Sequence, residues 1–363
     1  MSKTIVLTSY YRPKPGGYCK RYFRAINALL NQGVEVHYLA VVEFPIEHPR
    51  CFYHKFPWMK NYTDNLIFWV CFHILSPFIL LYLGLRYRVT HAFVFGPTYS
   101  FVLQPLRILA RIPLTLFLRA DAILNHRIAG RANWITKLDQ LFEGAAIQGV
   151  RLYGVSDALT KAVLNRHRIF KPKKYSTLRN NIESLEIVSH SEYNNPLVLG
   201  CVGVLEKRKN QQLLLYALSK IPIGSAKLNI YGEGPDEEFL LDLTKALSIT
   251  EQIEFRGWVD SNLIWPEIDV LVIPSLHEGA PNAVLEALSH RIPVLASDIA
   301  EHAEILPAES LIPVSSVEDW SKKIMEICNS KSLLSEIKCK QRYCSEKLLF
   351  DWEKQITDLI LGG

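Results

Sequence analysis

The stretch Val270-Leu271-Val272-Ile273-Pro274-Ser275-Leu276-His277-Glu278-Gly279-Ala280-Pro281-Asn282-Ala283-Val284-Leu285-Glu286-Ala287-Leu288-Ser289 decides the fold. Val270 to Pro274 is an apolar run of strand length. Asn282 to Ser289 reads as a helix, and Pro281 suits its first turn, where a missing N–H goes unnoticed. Pro293 to Ala296 is the next strand. Strand, helix and strand in so short a span form a unit of an α/β sheet.

Outward from this stretch the same alternation recurs. Upstream lie a strand over Leu197 to Gly203, a helix over Gln212 to Ser219, a strand over Lys227 to Tyr231, a helix over Asp236 to Leu247 and a strand over Gln252 to Phe255. The N-terminal half begins with a strand at Ile5 to Thr8. A turn follows at Arg12-Pro13-Lys14-Pro15-Gly16-Gly17, and then Phe23, Ile26, Leu29 and Leu30 at helical spacing. Gly33 stands where a helix C-cap glycine belongs, and Val34 to Leu39 alternates as a strand. His91 to Phe95, Leu114 to Leu118 and Arg151 to Val155 read as further strands. Polar residues at Lys171 to Lys174 and Asn194-Asn195-Pro196 bracket a boundary near residue 190. The expectation is two Rossmann-like domains, 1–190 and 191–344, with 345–363 returning to the first. Ligands of open α/β sheets bind at the carboxyl ends of strands, so a cleft between two such edges is the expected site.

At 363 residues the chain fits two cores better than one. Its seven cysteines are odd in number and lack Cys-x-x-Cys spacing, which points to neither a disulfide framework nor a zinc site. Scattered thiols and the lack of a signal-peptide layout lead us to expect a cytoplasmic protein. Charge is unevenly spread: residues 1–190 hold 25 Lys+Arg against 10 Asp+Glu (25 − 10 = +15), and the remainder holds 41 − 25 = 16 against 36 − 10 = 26, a balance of −10. The basic half is suited to an anionic partner, such as a membrane surface or a phosphate-bearing lipid. Nucleic acid is the weakest candidate, because the basic residues match no recognition module. Leu66 to Leu85 contains no Asp, Glu, Lys or Arg and has the length of a bilayer span. His73, Ser76 and Pro77 interrupt it, so it is read as a buried or membrane-surface helix ahead of a spanning one.

Chemistry gathers at strand ends. The free N–H groups at a helix start attract anions, and Pro281-Asn282-Ala283 would supply one. Glu278 precedes that helix, and Glu286 lies on it, leaning back toward the same place. Two carboxylates so placed can flank a diphosphate, one accepting from sugar hydroxyls and the other from a ribose diol. Spacing alone would equally fit solvated acids at a helix start. Gly203-Val204-Leu205-Glu206-Lys207-Arg208-Lys209-Asn210 follows another strand, and its cations can neutralise a departing diphosphate. Gly16-Gly17 permits close backbone approach but departs from G-x-G-x-x-G, so a nicotinamide dinucleotide site is poorly supported. Gly232-Glu233-Gly234-Pro235 and Phe255-Arg256-Gly257-Trp258 are turns against which a nucleobase can lie.

Taken together, these segments resemble family 4 of the retaining glycosyltransferases, which have the GT-B fold. The resemblance rests on Glu-x7-Glu (Glu278, Glu286), on Gly203 with Lys209-Asn210, on Gly-x-Gly-Pro at 232–235 and on Phe-x-Gly at 255–257. Pro293 to Asp298 and Phe350-Asp351-Trp352 add to it. It implies a nucleotide-sugar donor, UDP- or GDP-linked, held by Gly16, Gly17, Arg208, Lys209, Trp258, Glu278, Gly279, Ala280, Pro281, Asn282, Ala283 and Glu286. It also implies a metal-independent transfer with Glu278, Lys209 and Asp121 as the catalytic set, and no cofactor. Arg119 and Asp121 would meet the acceptor, a glycan or a lipid-linked chain in bacterial cell-surface polysaccharide synthesis (lipopolysaccharide or capsule). The basic domain suggests peripheral attachment to the inner face of the cell membrane. Val204 stands where the family commonly has Arg, Arg119-Ala120-Asp121 where it often has His, and Ala300-Glu301 where it has a glycine pair. A sugar-nucleotide epimerase of the same fold, a binding-only relative and an integral membrane protein are the alternatives.

Overall fold

A computed structural model describes residues 4–362 apart from 15, 64, 129, 131 and 186–192. It divides into two compact units, Met1–Arg179 with Asp351–Gly363, and Asn180–Phe350. The boundary expected near residue 190 falls outside the described residues. The division comes earlier because Asn180 and Ile182 already bond within the second unit. Asn180 donates to Asn282 (2.6 Å), and the Ile182 amide donates to the Leu348 carbonyl (3.0 Å). The same bond carries the second unit past residue 344, to Phe350.

The first unit contains seven strands: β1 (Ile5–Ser9), β2 (Glu35–Ala40), β3 (Cys51–Lys55), β4 (His91–Phe95), β5 (Leu114–Leu118), β6 (Arg151–Gly154) and β7 (Lys174–Thr177). They pair in parallel in the order β3-β2-β1-β4-β5-β6-β7. Helices α1 (Gly17–Asn31), α2 (Leu66–Arg86), α3 (Pro97–Leu109), α4 (Ala122–Ile128), α5 (Asn133–Ile147) and α6 (Asp157–Arg166) connect or follow them. β1, β2 and β5 are buried along their whole length, as strands covered on both faces should be. Gly33 takes φ +80 after α1, and its amide returns to the Leu30 carbonyl (2.9 Å), a left-handed helix end that glycine enters without penalty.

Helix α2 departs from a core helix. Asn65 caps it through the Phe68 amide (2.8 Å). Phe68, Phe72, Ser76, Leu80 and Leu83 recur at four- and three-residue steps and form one buried stripe. The other faces, with Leu66, Ile67, Ile74, Phe78 and Tyr82, are exposed. Only 28% of its apolar window is buried, so the unit's own core does not cover it.

The second unit repeats the plan with β8 (Leu197–Val202), β9 (Ala226–Tyr231), β10 (Ile253–Gly257), β11 (Val270–Ile273), β12 (Val294–Ser297) and β13 (Leu311–Ile312), parallel in the order β10-β9-β8-β11-β12-β13. Its helices are α7 (Gln211–Leu218), α8 (Glu237–Ala246), α9 (Ser261–Ile264), α10 (Asn282–Ser289), α11 (Ala300–Ala303), α12 (Val317–Asn329) and α13 (Lys331–Glu346). Alternate residues feed two cores. Leu197, Leu199, Cys201, Val270 and Val272 join one cluster, and Val198, Val202, Leu271 and Ile273 join the other. The sheet is therefore apolar on both faces.

Helix α14 (Trp352–Leu361) belongs to the first unit. Trp352 is fully buried, with the guanidinium groups of Arg21 and Arg24 over its ring at 5.2 and 5.3 Å. Arg24 pairs with Glu353, Gln32 donates to Thr357 (2.7 Å), and Arg151 donates to the carbonyls of Ile360 (2.8 Å) and Gly362.

Candidate active site

In the second sheet, β8 and β11 are adjacent although β9 and β10 lie between them in sequence. Chain direction across the sheet reverses there, and the loops leaving the two strands part to either side. Such a switch point is where open α/β sheets accept ligands. The loop after β8 is Gly203 to Asn210, and the loop after β11 is Pro274 to Pro281. Both segments singled out by their chemistry therefore meet at one place.

Three sets of contacts hold the loops together. The Leu276 amide donates to the Arg208 carbonyl (2.9 Å), and Asn210, left-handed at φ +54, donates to the Pro274 carbonyl (3.3 Å). The third is ionic and centres on Glu278. Its Oε1 accepts from Lys209 Nζ (2.7 Å) and from Ser275 Oγ (2.7 Å), and its Oε2 accepts from Arg208 (3.0 Å). The residue is 5% exposed. Burial raises its pKa, but Lys209 and Arg208 together outweigh burial and hold the carboxyl below the ordinary value. It is thus a buried, ionised acid. Arg208 also grips Glu206 (2.6 Å). Its charge is shared between two carboxylates, whereas among the described residues Lys209 pairs with Glu278 alone.

Helix α10 begins at Asn282, with Pro281 as its N-cap instead of its first residue. Among the described residues, the N–H groups of Gly279, Ala280 and Ala283 find no hydrogen-bond acceptor. They supply the donors of an anion site beside Lys209. Glu286 is half-buried in the second turn of the same helix. The glycine turns lie backbone to backbone. The Gly203 amide donates to Tyr231, Leu205 to Glu233 (3.0 Å) and Gly232 to Gly257 (2.7 Å). A Cβ on Gly232 would fall 2.1 Å from the Gly203 oxygen, and one on Gly234 would fall 2.3 Å from the Leu205 oxygen. These glycines are required by contact with the neighbouring loop. Trp258 is 73% exposed just beyond β10.

The first unit holds the remaining expected residues. Gly16 (φ +119) caps α1, and Gly17 opens it, directly after the switch between β1 and β4. Tyr10 lies against Tyr11, Tyr18, Tyr22 and Tyr99 there, with ring centroids 5.2–5.5 Å apart. Arg119 sits over Phe95 (5.6 Å), and burial, aided by Arg21, lowers its pKa to about 9. Asp121, expected as a catalytic group, is engaged at both oxygens. One oxygen caps α4 through the Leu124 amide (2.9 Å), and the other pairs with Arg166, which also binds Glu143 (2.8 Å). Only 7% of it is exposed. Both oxygens are engaged inside the unit, as those of Glu278 are within the second.

Two site residues escaped the reading of the sequence. Ser275 is the hydroxyl that fixes Glu278. His302 is fully buried; its Nδ1–H donates to the Ser297 carbonyl (2.8 Å), and Ser297 Oγ in turn donates to the Ser275 carbonyl. Its Nε2 has no partner among the described residues. Burial lowers its pKa, with Lys209 adding to the effect and Glu278 opposing it, so it is a neutral ring near the Glu278–Lys209 pair.

Residues 196–330 match the model of the family described as glycosyl transferases group 1. The matched segment lies within the second unit. The group 1 segment includes Gly203 to Asn210 and Glu278 to Glu286. The chain is 30% identical over 157 residues to the O-antigen biosynthesis glycosyltransferase WbnH of Escherichia coli, covering 43% of this chain and 44% of WbnH. It aligns with less than half the length of the first curated relatives it matches. Solved structures extend the likeness in fold to the whole chain. Sucrose-phosphate synthase of Thermosynechococcus elongatus superposes at a TM-score of 0.78 with 16% identity, over 98% of this chain and 97% of that one. HepE of Anabaena in complex with UDP-glucose superposes at 0.76 with 14% identity, over 98% of both. Each unit is a parallel α/β sheet, and the fold is GT-B.

Proposed function

We propose that the chain is a retaining glycosyltransferase. It moves a sugar from a UDP- or GDP-linked donor to a glycan or lipid-linked acceptor in bacterial cell-surface polysaccharide synthesis. The observation that carries this reading is Glu278, ionised and buried between Lys209 and Arg208 at the switch point of the group 1 unit. An acid so held accepts hydrogen bonds from sugar hydroxyls without being protonated. The diphosphate rests on the N–H groups of Gly279, Ala280 and Ala283 and on Lys209. These groups stabilise the negative charge that grows as the glycosidic bond breaks. Glu286 accepts from the ribose, and Trp258 lies against the base. Arg119 meets the acceptor, and Gly16-Gly17 permits close backbone approach of the donor. Asp121 acts by holding α4 and Arg166 in place. The charge stabilisation comes from Lys209 and the helix start, so chelation with EDTA is expected to leave the rate unchanged. The UDP-glucose complex of HepE and the name of WbnH support the donor class and the pathway. Full transfer by Glu278→Ala would refute the donor site. Sugar release from donor alone, with no acceptor required, would favour an epimerase.

We further propose that the protein works in the cytoplasm, attached to the anionic inner face of the membrane. The uncovered faces of α2 and the exposed Arg86 and Arg88 at its end support this. An apolar surface rimmed by cations binds such interfaces. Co-sedimentation with phosphatidylglycerol vesicles at low salt is the test; protein that stays in solution would overturn the reading. Release by carbonate separates attachment from spanning.

A further inference from the structure

Beyond the C-terminal end of α10, opposite the end that carries the donor loop, the second unit has a pocket of about 240 Å³ against α13. Arg291, Lys338, Ser335, Cys339, Gln341 and Ser345 line much of it, and no acidic residue does. This is unusual in a part of the chain where 16 basic residues face 26 acidic ones (41 − 25 and 36 − 10). Other cations of the unit take carboxylates: Arg256 pairs with Glu267 (3.1 Å) and Lys340 with Glu336 (2.9 Å). Arg291 and Lys338 are half-buried, and among the described residues neither has an ion-pair partner. The Arg291 Nε is fully buried with no acceptor. Burial, and then the charge of Arg291, depress the Lys338 pKa, so the two cations share one partly desolvated space. The wall behind them is rigid, because Gln341 exchanges hydrogen bonds with the backbone of Val294 (2.9 and 2.7 Å) and donates to Ser310 (2.7 Å).

We propose that this pocket binds a small soluble oxyanion of the phosphoryl class, held between Arg291 and Lys338. Two cations lining one space match the charge of such a group, and their terminal N–H groups match its acceptor oxygens. The Ser335 and Ser345 hydroxyls donate to the carbonyls of Lys331 (3.0 Å) and Arg342 (2.7 Å), so the donors to the anion are those of the cations. Its volume suits a phosphate bearing a few further atoms, and its recess suits a molecule in solution better than a bilayer. The site is separate from Lys209 and Glu278, and the proposal stands whether or not the donor reading does.

Cys339 is exposed and lines the pocket, so it reports on the local charge. Its alkylation by iodoacetate and by iodoacetamide is followed by peptide mass spectrometry. Two nearby cations are expected to raise the anionic-to-neutral rate ratio roughly tenfold over that of free cysteine. Arg291→Gln and Lys338→Gln should each remove about a threefold share of that enhancement. Inorganic phosphate should slow both reagents saturably in the native protein and in Lys209→Met, but not in the Arg291→Gln/Lys338→Gln pair. Sodium chloride at equal ionic strength should not reproduce the effect. A ratio equal to that of free cysteine in the native protein overturns the proposal without recourse to any variant. So does protection that disappears in Lys209→Met, which would place the anion at the donor site.

Discussion

Burial pushes the Glu278 carboxyl toward its neutral form, and two cations more than offset it. Replacing Glu278 with Gln leaves those cations facing a neutral amide. Transfer is expected to fall about 10²- to 10³-fold, the usual loss when one preorganised transition-state contact is removed. Stability of the second unit should fall by about 3 kcal/mol, because a partner of a buried ion pair has gone. A transfer assay and urea unfolding read the two effects. The pH dependence has a definite sign. The folded pKa lies below the unfolded one, so the stabilisation is complete above the unfolded value of about 4.3 and is lost as pH falls through the folded value. Acid should therefore destabilise the native protein more than Glu278→Gln. Asp121→Asn has the opposite profile. It should lower the melting temperature of the first unit, since Arg166 loses a buried counter-charge. The folded fraction should transfer sugar normally. A hundredfold loss of kcat with an unchanged melting temperature would restore Asp121 to the chemistry.

At the scale of elements, the close approach of the loops after β8, β9 and β10 is the feature that holds the donor loop's neighbours in register. Gly232→Ala places a Cβ 2.1 Å from the Gly203 oxygen at a backbone angle of φ +129. Something must shift, and we expect a loss of about 2 kcal/mol or more in urea unfolding, with weaker nucleotide binding by calorimetry. On α2, Phe78→Glu places a charge on an uncovered face and should abolish vesicle binding while leaving the fold intact by circular dichroism. The central strands were legible because burial on both faces makes them continuous apolar runs, as in Leu114 to Leu118. Three of the four edge strands were not. β3 carries His54 and Lys55, β7 is polar and largely exposed, and β13 has only two residues, so none presents that run. The site divides similarly. Glu278, Lys209 and the glycine turns stand in short segments whose order could be read. Ser275 bonds Glu278 directly, three residues away, but nothing in the spacing singles it out; His302 joins them only through the pairing of β11 with β12, which brings Ser297 to the Ser275 carbonyl. No local spacing encodes that meeting.

At the scale of the molecule, charge and connectivity matter most. The basic first half predicts that vesicle binding weakens steeply with added salt, as exposed charges become screened within a Debye length of about 8 Å at physiological ionic strength. A chain ending at Phe350 lacks α14. Arg24 and Arg151 then lose their contacts to α14, and the surface that Trp352 covers is bared. Limited proteolysis should cut that shortened chain throughout 1–179 and spare 180–350. The first unit is built from two separated pieces of chain, and the second is continuous. During synthesis, then, the nascent first unit must wait with its α1 groove open while the whole of the second emerges and is able to fold. The protein is finished in the reverse of the order in which it is begun, and a chaperone would find its longest-lived exposed surface on the part made first.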